Sequence, residues 1–109
     1  MIDISKTILA LSAAPDNVTQ AELRDIEECL RVLYTTPMGT QEGDRRLGIN
    51  VSSVLDKPME AAKALLTAEY VAKTAEYEPR VKVLRVEFTK EDALHGTVAP
   101  KVVYTIVTN

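Results

Sequence analysis

The spacing of apolar positions along the chain changes from a helical to a strand period at Pro79. Before it, apolar side chains recur every three or four residues, which predicts a helix over residues 57–77. After it, strand-forming valines alternate with charged residues over 80–89, and a second run of this kind follows at 97–107. A polar stretch separates the two runs, so the pattern predicts a C-terminal β-hairpin.

A further helix is predicted earlier in the chain, over residues 19–34. Thr19 and Glu22 have the spacing of a capping box, in which the two side chains bond free amides of the first turn. One apolar stripe follows, at positions three or four apart: Leu23, Ile26, Leu30 and Leu33. Cys29 lies at the edge of this stripe and is interpreted as a small hydrophobic filler rather than a nucleophile.

The helix predicted over 57–77 carries two apolar stripes instead of one. The first, the alanine stripe, consists of Ala61, Ala64, Leu65, Ala68, Val71, Ala72 and Ala75. The second carries larger side chains: Met59, Ala62, Leu66, Tyr70 and Tyr77. We expect the alanine stripe to approach the sheet closely, and the second stripe to need a cover from the other helix or from a partner chain.

The order of elements predicts an α+β fold, with two main helices packed on a small antiparallel sheet that contains the C-terminal β-hairpin. Residues 1–18 are interpreted as an N-terminal arm or short strand, and residues 19–109 as the main domain. The apolar parity shifts at Leu84, which indicates a bulge or burial on both faces. Pro100 has no amide proton and is expected at an edge position or a bulge.

Composition argues against several classes of protein. The length of 109 residues suits one domain, and a formal net charge of -3 argues against a nucleic-acid-binding module, whose surface is basic. No apolar run is long enough to span a bilayer, so we expect no membrane partner. The single cysteine excludes an internal disulfide and fits a reducing compartment.

Residues suited to catalysis are scarce, and we predict no enzyme activity, no cofactor and no metal site. His95 lies in the predicted hairpin loop, without a second His or a nearby Cys to share a metal. Glycoside hydrolysis needs only two carboxylates, and Glu42, Asp44 and Glu78 could converge. Arginines flank these acids, however, and a nearby cation lowers a carboxyl pKa, whereas a general acid needs a raised pKa.

Glu78, Pro79 and Arg80 stand where the helical pattern ends. Pro79 cannot continue a helix, and it displaces the preceding residue from the helical region. Opposite charges therefore flank an enforced stop between two elements. This arrangement suits a docking site, or an internal clamp in which Arg80 binds the last helix carbonyls or the loop acids Glu42 and Asp44.

Three segments resemble the gene-25-like family of contractile-tail baseplate wedge proteins. Residues 33–40, Leu-Tyr-Thr-Thr-Pro-Met-Gly-Thr, are similar to the family's Leu-x-Thr-x-x-Gly segment. Residues 44–49, Asp-Arg-Arg-Leu-Gly-Ile, are similar to its Arg-x-x-aromatic-Gly segment. Leu47 replaces the aromatic residue, which predicts a looser contact. The third segment, Glu-Pro-Arg at 78–80, is the family's signature, and the resemblance covers roughly residues 19 to 107.

The resemblance implies a structural subunit of a contractile tail or injection-machine baseplate, such as that of type VI secretion systems. Its implied partners are other wedge proteins and the tail sheath subunits whose assembly it helps to start. Its implied location is the bacterial cytoplasm during assembly and then the baseplate of the virion or tail-like particle. The residues implied to bind partners are Glu78, Pro79, Arg80, Asp44 and Arg46.

Two alternatives to a structural subunit come from the same resemblance. Family members often carry the label "tail lysozyme", which implies a peptidoglycan-degrading enzyme. The family also resembles a bacterial anti-adaptor that shields a stress sigma factor, which implies a regulatory binding module.

Overall fold

The computed structural model describes residues 2–39, 46–54, 56–92 and 96–107. Its helices and strands are β1 (Ile8–Ala13), α1 (Gln20–Thr35), α2 (Met59–Tyr77), β2 (Val81–Asp92) and β3 (Thr97–Ile106). The predicted helices and hairpin strands are within three residues of these bounds, and the α+β class is confirmed. The Thr19 hydroxyl accepts a hydrogen bond from the Glu22 amide at 3.1 Å, as a capping box requires.

The sheet has three strands in the order β1-β3-β2. β2 and β3 form the predicted antiparallel hairpin. β1 pairs with the other side of β3 in parallel, so the sheet as a whole is mixed rather than purely antiparallel. The register of the hairpin shifts between Val83 and Arg85, which confirms the bulge expected at Leu84.

Pro100 corrects one expectation, because it lies in the central strand and not at an edge. The parallel ladder with β1 begins only at Lys101, after an isolated bridge between Ile2 and Val98. Between these pairs the arm leaves the sheet as a short 3-10 turn. The proline therefore lies where the β1 ladder is interrupted. No ladder hydrogen bond is required there from the amide proton that proline lacks.

The face that α2 turns to the core is the opposite of the expected one. Ala62, Leu66 and Tyr70 are buried by this chain itself, whereas Leu65 and Val71 of the alanine stripe are 41% and 47% exposed. The larger stripe is the buried one because free energy gained on burial scales with the apolar area removed from water, and alanines contribute little area. The same core includes Val102, Tyr104 and Ile106 of β3, which share one face as predicted.

A tyrosine network, consisting of Thr7, Tyr34, Tyr70 and Thr74, joins the arm to both helices. The Thr7 and Tyr70 hydroxyls lie 3.0 Å apart, and the Tyr34 and Thr74 hydroxyls 2.5 Å apart. The Thr74 hydroxyl also donates to the Tyr70 carbonyl at 2.6 Å, and the two rings meet edge to face. Buried hydroxyls are costly unless they are hydrogen-bonded, so these bonds select one relative position of α1 and α2.

Candidate functional site

The corner, by which we mean Glu78, Pro79 and Arg80, is a tight turn between α2 and β2. The Glu78 amide donates to the Thr74 carbonyl at 2.8 Å as the last bond of the helix. The Glu78 carbonyl then accepts from the first amide of β2 at 3.1 Å, with Pro79 second in the turn, where its fixed φ fits. The Arg80 carbonyl accepts from the amide that follows β3 at 2.8 Å, so the hairpin fixes the far side of the corner.

The side chains of the corner form an ion pair that extends to α1. Nε and Nη2 of Arg80 donate to the two carboxylate oxygens of Glu78 at 2.7 and 2.8 Å, the forked geometry that arginine favours. Nη2 also donates to the Asp25 carboxylate on α1 at 3.0 Å. The Glu78 side chain is 6% exposed and the Arg80 side chain 43%, so the carboxylate is buried behind the guanidinium.

The guanidinium of Arg80 is a permanent and partly open charge. The hydrogen bonds that its guanidinium donates to the Glu78 carboxylate, and then to that of Asp25, raise the pKa of Arg80 above its ordinary value. Within the described part of the chain, the side-chain hydrogen bonds of the Arg80 guanidinium use Nε and Nη2. No such bond is made there by Nη1.

A shallow apolar groove, which we call the groove, lies beside the corner. It is lined by Glu28, Cys29, Val32, Leu33, Leu47, Tyr77 and Glu78. Cys29 is exposed here, which corrects the interpretation of this residue as core filler. The walls of the groove still remove part of the water around the Cys29 thiol, and this desolvation is the largest cause of its raised pKa. The nearby Asp25 and Glu78 carboxylates raise the pKa further, so little thiolate is present at neutral pH.

Leu47 reaches the groove from a loop whose ends are joined by backbone bonds. The Met38 amide donates to the Ile49 carbonyl at 2.9 Å, and the Ile49 amide donates to the Thr36 carbonyl at 2.8 Å. Gly48 has a φ of +105°, and a Cβ at this position would collide with the Thr36 carbonyl oxygen. A glycine is therefore required for the two stretches to approach this closely.

Arg46, next to Leu47, is bound by α2 in two ways. Its guanidinium lies 3.3 Å from the Glu76 carboxylate, in an exposed ion pair. Its backbone carbonyl accepts a hydrogen bond from Nζ of Lys73. The loop is thus attached to the last turns of α2, just before the corner.

The structure locates four of the five residues that the resemblance implied in partner binding. Glu78, Pro79 and Arg80 form the corner, and Arg46 lies on the neighbouring loop. Asp44 lies outside the described residues, as do Glu42 and His95. The partner-binding roles of all five residues, Glu78, Pro79, Arg80, Asp44 and Arg46, stay predictions.

Two residues of the site were missed by sequence reasoning, namely Asp25 and Lys73. Asp25 lies outside the apolar stripe of its helix, and its contact with Arg80 spans 55 positions. Lys73 belongs to neither apolar stripe of α2, yet it is buried. No local pattern identifies either contact, because both depend on how distant segments pack.

Within residues 2–39, 46–54, 56–92 and 96–107, no group of three or more His, Cys, Asp or Glu is arranged to hold a metal ion. None of the helices there is both long and apolar enough to cross a membrane.

Comparison with known proteins identifies a family for this chain. No curated protein matches the chain. The family model described as baseplate wedge protein gp25 matches residues 20–109, a range that includes both helices, the corner and the hairpin. Because the match extends over most of the sequence, the chain belongs to the baseplate wedge protein gp25 family.

Proposed function

We propose that this chain is a structural subunit of a contractile-tail baseplate and that its corner and groove dock other wedge proteins. Membership in a baseplate wedge family supports the structural role. The observation that carries the docking site is the Glu78–Arg80 pair, in which a buried carboxylate holds a half-exposed guanidinium beside an apolar groove.

A guanidinium held in this way is preorganised for binding. Arg80 has already lost much of its side-chain freedom to Glu78 and Asp25, so a partner does not have to order it. A partner carboxylate, or the carbonyls at the end of a partner helix, can accept a hydrogen bond from Nη1. The bond strengthens as the partner excludes water from the groove beside it.

The groove provides the second contact for the same partner. Val32, Leu47 and Tyr77 offer an apolar surface that an apolar side chain can cover. Leu47 is smaller than the aromatic residue usual in the family, so this contact is looser and leaves more room for the partner. A wedge-protein helix with an apolar residue near an acidic one fits both features.

We extend the proposal to the setting of this binding. The protein joins other wedge proteins in the bacterial cytoplasm, remains in the baseplate of the finished particle, and provides a starting platform for the tail sheath. Its partners are proteins, with no part for nucleic acid or membrane.

Cell-wall hydrolysis, the activity that the lysozyme label implies, is not expected. Of the three acids considered for it, Glu78 is the one within the described residues, and both of its oxygens are bound by Arg80, so neither is free to transfer a proton to a sugar. Clearing of purified cell walls by the pure protein, lost in Glu78→Gln, would contradict this expectation.

The docking proposal is tested by comparing binding with stability in Arg80 variants. Arg80→Ala leaves the buried Glu78 carboxylate without its main donors, so we expect a stability loss of roughly 1–3 kcal/mol. Binding to wedge proteins of the same baseplate should weaken by roughly 2–5 kcal/mol, measured where the variant is still folded. Arg80→Lys keeps a cation beside Glu78 but loses the planar fork, so its melting should be closer to wild type while its binding stays weak.

Arg85→Ala is the matched control, since Arg85 lies on β2, is 63% exposed and pairs only with Glu87 among the contacts described. It should bind and melt like wild type. Normal binding by the folded fraction of Arg80→Ala, with a large drop in melting temperature, would reduce the corner to an internal clamp and refute the docking role.

A further inference from the structure

Lys73 is a buried cation on α2 that lies outside the corner. Its side chain is 8% exposed, and its ammonium donates to the Arg46 carbonyl, with the Met38 sulfur at 3.5 Å and the Glu69 carboxylate at 4.0 Å. A buried ammonium is costly unless it is paired and hydrogen-bonded. An apolar side chain would fill the same space without that cost. The contacts of the ammonium must therefore explain why a lysine occupies this position.

Lys63 on the same helix is a natural comparison. Lys63 lies 3.5 Å from the Glu60 carboxylate, Lys73 lies 4.0 Å from Glu69, and each ammonium is 5.8 Å from the centre of an aromatic ring. The two lysines differ in exposure, at 32% against 8%, and in the bond to the Arg46 carbonyl. The contact with the loop therefore distinguishes Lys73 from an ordinary surface lysine of α2.

We propose that Lys73 is a positioning residue, which fixes the Arg46–Leu47 segment as one wall of the groove. The inference rests on the proposed docking function and adds a residue to that site. Lys73 holds the backbone of Arg46, while Glu76 holds its guanidinium at 3.3 Å. The next residue, Leu47, is thereby kept against the core edge and in the groove.

The place at which Lys73 binds the loop explains how one bond can restrain Leu47. The backbone bonds of Ile49 anchor the loop on the far side of Leu47, and the Lys73 bond anchors it on the near side, at Arg46. A bond to the backbone on each side restrains Leu47 more tightly than the exposed Arg46–Glu76 ion pair, which acts only through the long Arg46 side chain. A partner that binds a fixed Leu47 does not have to order it.

Lys73→Met tests the proposal, because methionine keeps the apolar stem and removes the donor. In the free protein, hydrogen exchange at the Met38 and Ile49 amides should accelerate on the order of tenfold, since both amides bond across the loop. The thiol of Cys29 lines the same groove as Leu47. It should react roughly several-fold faster with Ellman's reagent once Leu47 no longer keeps a fixed position beside it. Lys63→Met is the control and should change neither rate.

The same variants are then titrated with the wedge proteins that bind wild type. Affinity should fall roughly two- to tenfold in Lys73→Met, the size expected from ordering one side chain on binding, and stay unchanged in Lys63→Met. Unchanged exchange at Met38 and Ile49, or acceleration spread evenly over the sheet, would overturn the positioning role. Normal affinity in Lys73→Met together with lost binding in Arg80→Ala would also overturn it, while leaving the docking function intact. Normal affinity in both variants would refute the docking function itself.

Discussion

The tyrosine network and the corner both join α1 to α2, but they do so with different chemistry. In the network, Tyr34 and Tyr70 are fully buried and neutral, and each hydroxyl is bonded to a threonine. In the corner, Arg80 is charged and partly open to solvent, and only Glu78 is buried. No buried side-chain nitrogen or oxygen within the described residues lacks a hydrogen bond, so the network has nothing to offer another molecule.

Under the docking proposal, this difference separates stability from partner binding. A closed, neutral network can only select a packing arrangement. A surface ion pair with one buried member can do this and still present a donor, because solvent reaches the guanidinium. Changes in the network should therefore alter the free energy of unfolding alone, whereas changes in the corner should alter binding more than stability.

The largest effect is expected for Tyr70→Ala. Removing a fully buried aromatic ring leaves a cavity between the helices, and we expect the free energy of unfolding to fall by about 3–5 kcal/mol. Chemical denaturation measures the loss directly. Tyr70→Phe, which keeps the ring, should cost only about 1 kcal/mol. Weakened partner binding by folded Tyr70→Phe would contradict the separation of the two regions.

A smaller effect is expected in the pH dependence of stability. Burial raises the pKa of Tyr34 from its ordinary value near 10 to about 12, so the unfolded chain loses this proton at lower pH than the folded one. The contribution of the Tyr34 proton to the stability of the fold is complete below pH 10. This contribution, roughly 2–3 kcal/mol, is lost as the pH rises through about 12. Tyr70, whose pKa is raised mainly by burial as well, acts in the same direction.

Tyr34→Phe should flatten this alkaline loss. Wild type and variant should show parallel stability curves between pH 7 and 9, by linkage, and diverge above pH 10. Denaturant unfolding at each pH gives the two curves. Equal slopes above pH 10 would mean that the Tyr34 hydroxyl is not held in its neutral form by the fold.

The smallest effect is expected for Asp25→Asn, which weakens the contact of the corner with α1. Asp25 and Arg80 are both partly exposed, so stability should change by about 0–1 kcal/mol. Binding should change little, since Glu78 still orients the guanidinium. Glu27→Gln, which removes the exposed Glu27–Arg31 pair on the same helix, is the matched control for thermal melting. A loss of binding as large as in Arg80→Ala would mean that Asp25 contacts the partner.

Local sequence pattern predicted the helices and strands well, but it did not predict which faces and segments pack against one another. The helices, the hairpin and the bulge at Leu84 follow from periodicity, and the corner follows from Pro79, because these signals act over a few residues. The buried face of α2 did not follow, since both of its stripes are apolar and the choice depends on what packs against them. The larger side chains of the buried stripe were the usable signal, because they remove more apolar area from water than alanines do.

Contacts between distant segments were beyond the sequence signal. The parallel pairing of β1 with β3 joins residues more than ninety positions apart, as the Thr105 bond to the Ala13 carbonyl illustrates. The Lys73 bond to Arg46 crosses 27 positions and uses a backbone carbonyl, which has no sequence signature. The charged triplet 78–80 indicated where an ion pair lies, but not the Asp25 that also contacts Arg80.

Hydrogen exchange of the wild-type chain, free and bound to its wedge partners, tests the docking site most directly, because it needs no substitution. We predict that binding slows exchange at Arg80 of the corner and at Val81, the first residue of β2. It should also slow exchange at Leu47 and Ile49 of the loop, and along the stretch of α1 from Glu28 to Leu33. Amides near the tyrosine network should change little. Slowed exchange elsewhere, with the corner and the loop unchanged, would show that wedge proteins dock on a different surface.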